Sequence, residues 1–307
     1  MKLFATSAAT SLLLITALAR PYNKRQYAPT DIDILQYALT LEHLENTFYK
    51  GGIESMSEQD FMTAGFSSQY YTNLKYIAHD EEQHVELLTS ALMTAGAKPV
   101  AACTYDFPYT DPHSFVTLAS VLEGVGVSAY LGAAGLIASK AYLGVAGSIL
   151  VTESIHTAVH RFNLGEVAPA NPYGTGLGLD PVYTAAAAFI KTCPSNNSAL
   201  PVMAFPTLTA TQSIPASEGM PFTFSVKGAL PMTFSVVFVS GLSTTSVAPT
   251  MNGSLISAVV PATAMGQTYV FLTSAPTSMA LNDTMILYGP AIIEVTPPAP
   301  TFNLTEH

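Results

Sequence analysis

From residue 30 to about residue 190, apolar side chains recur at three- and four-residue spacing, the period of helices that bury one stripe. Thr30 ahead of Asp31 and Asp33 reads as an N-cap with acids in the first turn. Ile34, Leu35, Ala38, Leu41 and Leu44 follow at helical spacing. This pattern predicts a first helix to about Tyr49, stopped by Gly51-Gly52. A short helix over residues 57–64 leads to a long one over 68–95, ended by Gly96 and Pro99. Asp111-Pro112 sets a cap before proline at the first helical position and opens a third helix to about Gly135. A fourth helix covers 141–162, and a short fifth starts at Asp180-Pro181 and covers 182–191. Four long helices with short connections, and one longer crossover between the second and third, predict a helical bundle.

After Pro206 the pattern changes to short β-rich runs, over 207–211, 222–227, 233–239, 255–260, 268–273 and 285–295. Pro, Gly, Ser and Asn punctuate them, as in a small all-β sandwich-like domain. The fold class is therefore α+β and multidomain, as a chain of 307 residues allows. The expected division is a signal peptide (1–19), a propeptide or linker (20–29), the bundle (30–195), the β domain (205–296) and a Pro-containing tail (297–307). The β domain is expected to fold apart from the bundle and to be dispensable for whatever the bundle binds. The stretch 124–151 holds one charge, Lys140, and has the composition of a membrane span. Gly132, Gly135, Gly144 and Gly147 interrupt it, however, and Glu123, Glu153 and His156 stand at its ends. A helix apolar nearly all round is also what a buried bundle position demands, so no membrane span is expected.

The N-terminus has the layout of a secretory signal: Met1-Lys2, an apolar run over 3–18, and the small-residue triplet Ala17-Leu18-Ala19 before Arg20. Lys24-Arg25 is either a processing site or a solvated charge pair. Removing residues 1–25 takes away four basic groups and no acidic ones, which moves the formal charge from −10 to −14. Such a surface repels nucleic acid and suits cations. In an oxidising compartment the two cysteines, Cys103 and Cys193, most simply form one bridge. Sequons at Asn196, Asn252, Asn282 and Asn303 all follow the helical region and are candidate glycosylation sites. Together these features predict a secreted protein, extracellular or in a cell wall.

Candidate chemistry is concentrated before His160. Two patterns each occur twice, in the same order. Glu42 lies seven residues before Tyr49, and Glu123 seven before Tyr130; one helix later in each case comes a Glu-x-x-His unit, Glu81 to His84 and Glu153 to His156. Residues three apart share a helix face, so each unit delivers a carboxylate and an imidazole to one point in a bundle core. Four Glu and two His are the set that two first-row divalent ions share in such bundles. The competing reading is a buried polar network without metal, which is costly because nothing neutralises the carboxylates.

On these residues, and on the segments 39–49 (Leu-Thr-Leu-Glu-His-Leu-Glu-Asn-Thr-Phe-Tyr) and 79–84, residues 28–195 resemble the ferritin-like superfamily of di-iron and di-manganese carboxylate proteins. They resemble most the secreted fungal ferritin-like proteins, a group that includes stress-response and late sexual-development proteins. The resemblance implies Glu42, Glu81, His84, Glu123, Glu153 and His156 as ligands of two divalent ions, iron first and manganese second. It places Tyr49 and Tyr130 near the carboxylates as candidate catalytic side chains. It implies Asp80 as an outer partner of a ligand histidine, and Thr152 stands where the second such Asp would be. Glu45, one turn from Glu42, competes for the first-helix position; Tyr49 and Tyr130 could be ordinary core aromatics. His160 reads as a packed or capping histidine, and Glu82 and Glu86 as a solvated face. Two functions remain in view. One is redox chemistry on oxygen, peroxide, ferrous iron or a small-molecule substrate. The other is an extracellular glycosylated structural or wall protein that uses the bundle as a scaffold and makes its contacts through the β domain.

Overall fold

The structure, a computed structural model, describes residues 28–212, 215–274 and 281–302; the expected signal peptide, the Lys24-Arg25 pair and the Asn303 sequon lie outside them. The helical half consists of α1 (Asp31–Ser55), α2 (Glu58–Thr63), α3 (Ser68–Thr94), α4 (Pro112–Ala133), α5 (Lys140–Asn163) and α6 (Leu179–Ala187). Side-chain caps start most of them. The Thr30 hydroxyl accepts from the Asp33 N–H while the Asp33 carboxylate accepts from the Thr30 N–H, and Ser57 with Asp60 and Asp111 with Ser114 repeat this reciprocal box.

Two boundaries differ from the sequence expectation. α1 runs through Gly51-Gly52 to Ser55. Glycine serves packing there rather than termination, because a Cβ on Gly52 would lie 2.1 Å from the Phe115 ring. α6 ends at Ala187, and residues 190–192 form a strand, β2 (Ile190–Thr192), paired antiparallel with β1 (Thr104–Tyr105). The Cys103–Cys193 disulfide closes the same ribbon.

The β-rich half holds β3 (Leu208–Ala210), β4 (Pro221–Val226), β5 (Ser235–Ser240), β6 (Ser243–Val247), β7 (Thr250–Asn252), β8 (Leu255–Val259), β9 (Gly266–Thr273) and β10 (Ile286–Val295). They form two four-stranded antiparallel sheets, ordered β10-β9-β5-β6 and β3-β4-β8-β7. Phe222, Phe224, Val236, Phe238, Ile256, Val270 and Leu272 fill the space between them.

The alternate residues of β5 and β9 explain how the halves join. Val237, Val239, Tyr269 and Phe271 point away from the sandwich and pack in one apolar core with the helices, beside Leu122, Val125, Ala129 and Val182. A strand buried on both faces reads as a continuous apolar run, as 236–239 does. Polar contacts fix the seam. The Tyr269 hydroxyl donates to the Gly124 carbonyl at 2.8 Å and meets Ser128 Oγ at 2.7 Å. The Gln267 amide donates to the Val121 carbonyl at 3.2 Å, and Arg161 of α5 grips Glu294 of β10 with two 2.7 Å bonds. A Cβ on Gly124 would lie 2.4 Å from the Gln267 side chain. The expectation that the β region folds apart thus meets a shared core and a half-buried ion pair. Among the described residues, one helical stretch, Pro112–Leu136, is long and apolar enough to cross a membrane. Two thirds of its most apolar window is buried by protein, which accounts for its composition without a bilayer.

Two outcomes are expected. Reducing the disulfide, or changing both cysteines to serine, removes a constraint across 90 residues; chain-entropy reasoning puts the loss at about 4–5 kcal/mol, read by denaturant titration. A chain ending near Leu200 leaves the seam uncovered and should aggregate or unfold at lower temperature; a soluble truncated bundle with the parent's melting temperature would contradict the shared core.

Candidate metal centre

Helical spacing brings the predicted residues to one place. Glu42 and Glu45 come from α1, Glu81 and His84 from α3, Glu123 from α4, and Glu153 and His156 from α5. All seven are buried, the four predicted glutamates completely. Three overlapping groups could each hold a cation with ligand atoms within 4.8 Å of one another: Glu42, Glu81, His84 and Glu153; Glu81, Glu123 and His156; and Glu45, Glu123 and Glu153. Glu81 belongs to the first two groups, as a bridging carboxylate would.

The geometry inside the cluster is that of atoms aimed at a common point. His84 Nδ1 lies 3.2, 3.3 and 3.5 Å from oxygens of Glu42, Glu81 and Glu153. His156 Nδ1 lies 3.0 and 3.3 Å from oxygens of Glu81 and Glu123. Among the described residues, seven buried side-chain polar atoms lack a hydrogen-bond partner, and six belong to Glu42, Glu81, Glu123, Glu153 and His156. Buried polar atoms are rarely left so, because the missing bond costs its full desolvation penalty. Gly126 makes the space: a Cβ there would lie 2.3 Å from Glu153 Oε2 and 3.1 Å from Glu45 Oε1.

Electrostatics report the same strain. Burial, then the neighbouring carboxylates, pushes Glu45 and Glu153 well above the usual range. Burial, then Glu153, brings Glu81 up to about 7. For His156, burial favours the neutral ring, but Glu123 and Glu81 together outweigh it and raise the imidazole to about 11. His84 is likewise raised, burial being overcome by Glu153, Glu42 and Glu81. Without a cation the cluster therefore holds protons, and a bound cation would displace them.

The chain matches the ferritin-like domain family over residues 30–166. This part of the chain is a ferritin-like domain. Protein rds1 of Schizosaccharomyces pombe is 27% identical over 187 residues, which cover 59% of this chain and 44% of that protein. The chain thus spans less than half the length of this curated relative.

In this ferritin-like domain the two tyrosines bond directly to the cluster. The Tyr49 hydroxyl donates to Glu123 Oε1 and the Tyr130 hydroxyl to Glu42 Oε1, each from the helix that carries the other's glutamate. Asp80 Oδ2 lies 3.3 Å from His156 Nε2, the nitrogen facing away from the carboxylates. Thr152 turns its hydroxyl to the Ser148 carbonyl at 3.4 Å. Glu82 pairs with Lys50 at the surface and Glu86 is exposed; His43 and His113 reach the Val100 and Ala64 carbonyls. His79 stands 3.8 Å from Asp80 at the surface.

One contact escaped the sequence. His160 is fully buried, with Nε2 2.8 Å from the Tyr49 hydroxyl and Nδ1 2.8 Å from the Tyr70 hydroxyl. Tyr49 spends its proton on Glu123, so Nε2 must carry a hydrogen and donate to Tyr49, leaving Nδ1 to accept from Tyr70. Burial, then the charge of His156, lowers His160 to about 3, so it stays neutral. Its spacing from His156 was legible, but the pairing with Tyr70, 90 residues away, had no local signal.

His160 sets a pH dependence. Its folded pKa lies below the unfolded value of about 6.5, so its stabilisation is complete above pH 6.5 and is lost as pH falls toward about 3. His160→Phe should flatten that portion of the acid limb in chemical denaturation of the cation-free protein; an unchanged limb would refute the neutral, buried assignment.

Proposed function

We propose that this ferritin-like protein is a secreted di-metal carboxylate protein that holds two iron or manganese ions and reacts with oxygen, peroxide or ferrous iron. The observation that carries the reading is the set of six buried polar atoms without hydrogen-bond partners, converging from four helices. An apolar core that accepts five glutamates is costly to fold unless cations neutralise them. The donors suit first-row divalent ions: carboxylate oxygens with one imidazole for each of two positions. Glu42, Glu81, His84 and Glu153 would hold one ion, and Glu81, Glu123 and His156 the other, with Glu45 beside Glu153 of the first and Glu123 of the second. When bound, such a pair supplies electrons for reduction of oxygen or peroxide. The chain's own part is to hold the carboxylates in register, to exclude bulk water, and to orient Glu123 and Glu42 through Tyr49 and Tyr130. The disulfide and the apolar run at residues 3–18 support secretion.

The alternative is a glycosylated wall or matrix protein that makes contacts through the β-rich half. The exposed asparagines of the sequons at Asn196, Asn252 and Asn282 favour it. The two readings separate on metal content.

Reconstitution with ferrous iron or manganese should give about two ions per chain by elemental analysis. His84→Ala or Glu153→Ala should lose most of them, and a stoichiometry near zero in the parent would sink the reading. Because binding must displace protons from Glu81 and both histidines, affinity should fall as pH drops from 7 to 5. The outer contacts differ between the half-sites, Asp80 standing by His156 and Thr152 turning away. One ion should therefore bind about 10- to 100-fold more weakly than the other. Calorimetry should show Asp80→Ala weakening the tighter step and Thr152→Asp narrowing the gap; two equal steps untouched by either change would refute the asymmetry.

A further inference from the structure

At the end of the bundle where α1 and α5 begin, α1, α3, α4 and α5 enclose an apolar cavity of about 100 Å³. Five alanines, Ala38, Ala91, Ala129, Ala133 and Ala146, contribute side chains too small to fill it. Of the four polar residues on its wall, all but the half-buried Tyr142 have their polar atoms engaged elsewhere. The Tyr130 hydroxyl goes to Glu42, and the Tyr37 hydroxyl goes to the Leu179 carbonyl at 3.4 Å. The Asp31 carboxylate accepts from the backbone of Ala138 and Ser139 at 2.8 and 2.9 Å. A water held here would need two to four polar partners, and apolar cavities of this kind stay dry and take hydrocarbon guests. At the rim, Leu87 and Val145 are exposed by 44% and 37%, so the entrance is apolar as well.

We propose that this cavity is a binding site for an uncharged hydrocarbon group about the size of a benzene ring. A carboxylate-bearing guest is disfavoured because Asp31 lies on the wall. The guest would rest against the ring of Tyr130, whose hydroxyl bonds to Glu42 on the other side. As a binding site it stands without metal; as the pocket that brings an apolar substrate beside the centre it rests on the function proposed above.

The test uses fluorobenzene and fluorine NMR on the full secreted chain, both chelator-stripped and iron-reconstituted. Saturable binding is expected in both forms. Ala38→Leu and Ala91→Leu, which fill the cavity from α1 and α3, should each weaken it at least about tenfold with metal content unchanged. Ala146→Leu, from α5, serves if either variant fails to give the parent's helical spectrum. Trifluoroacetate, no larger but charged, should bind at least about tenfold more weakly than fluorobenzene. No saturable binding by the parent, or binding indifferent to the filling substitutions, would overturn the proposal; metal content, measured on the same samples, reports separately on the centre.

Discussion

Everything in this molecule accommodates one costly choice, the burial of five glutamates in the middle of a helical bundle. Carboxylates in a medium of low dielectric repel one another and lose their hydration, and among the described residues no lysine or arginine pairs with them. The surroundings answer in three ways. Two tyrosines each cap one carboxylate, two imidazoles sit within salt-bridge distance of every glutamate but Glu45, and Gly126 vacates the space that Glu153 and Glu45 occupy. His160 extends this outward, orienting Tyr49 and being oriented by Tyr70, so a polar chain runs through an otherwise aromatic core of Phe48, Phe61 and Phe115.

The helix that carries Glu123 has a second task. α4 is buried from Leu122 through Tyr130 at every position but Val127, because helices cover some faces and the β10-β9-β5-β6 sheet covers another. The sheet is consequently two-sided: the outward residues of β5 and β9 complete the bundle core while the inward ones complete the sandwich. Arg161 strengthens the union. It lies one helical turn and a residue beyond His156 on α5 and ends in a bidentate grip on Glu294.

The helices and the six central ligand candidates were legible because their signals are local: caps, a period of 3.6, and Glu-x-x-His units that put two donors on one face. Glu45 was half legible: it stands one turn from Glu42 but lacks a tyrosine seven residues on, and the fold brings both into the cluster. Gly51-Gly52 misled, because glycine marks a stop and a close approach with the same letter, and only Phe115 across the bundle tells them apart. The packing of sheet on helix was written in the uninterrupted apolar run at 236–239, but a strand buried on both faces does not say what covers it. Tyr70 had no sequence signal, for its meaning depends on a histidine placed by a different helix.

The seam on α4 also bears on how this architecture could be inherited. Gly124 and Ser128 are small where Gln267 and Tyr269 press against the helix, and Gly132 leaves no room for a side chain, a Cβ there lying 1.8 Å from the Leu177 carbonyl oxygen. A bundle that lost its C-terminal sheets would expose a flat, glycine-notched strip with nothing to wet it. In a protein that carries the bundle alone, the positions of Gly124 and Ser128 should hold long polar side chains, so α4 by itself tells whether a sequence of this kind descends with its β partner or without it.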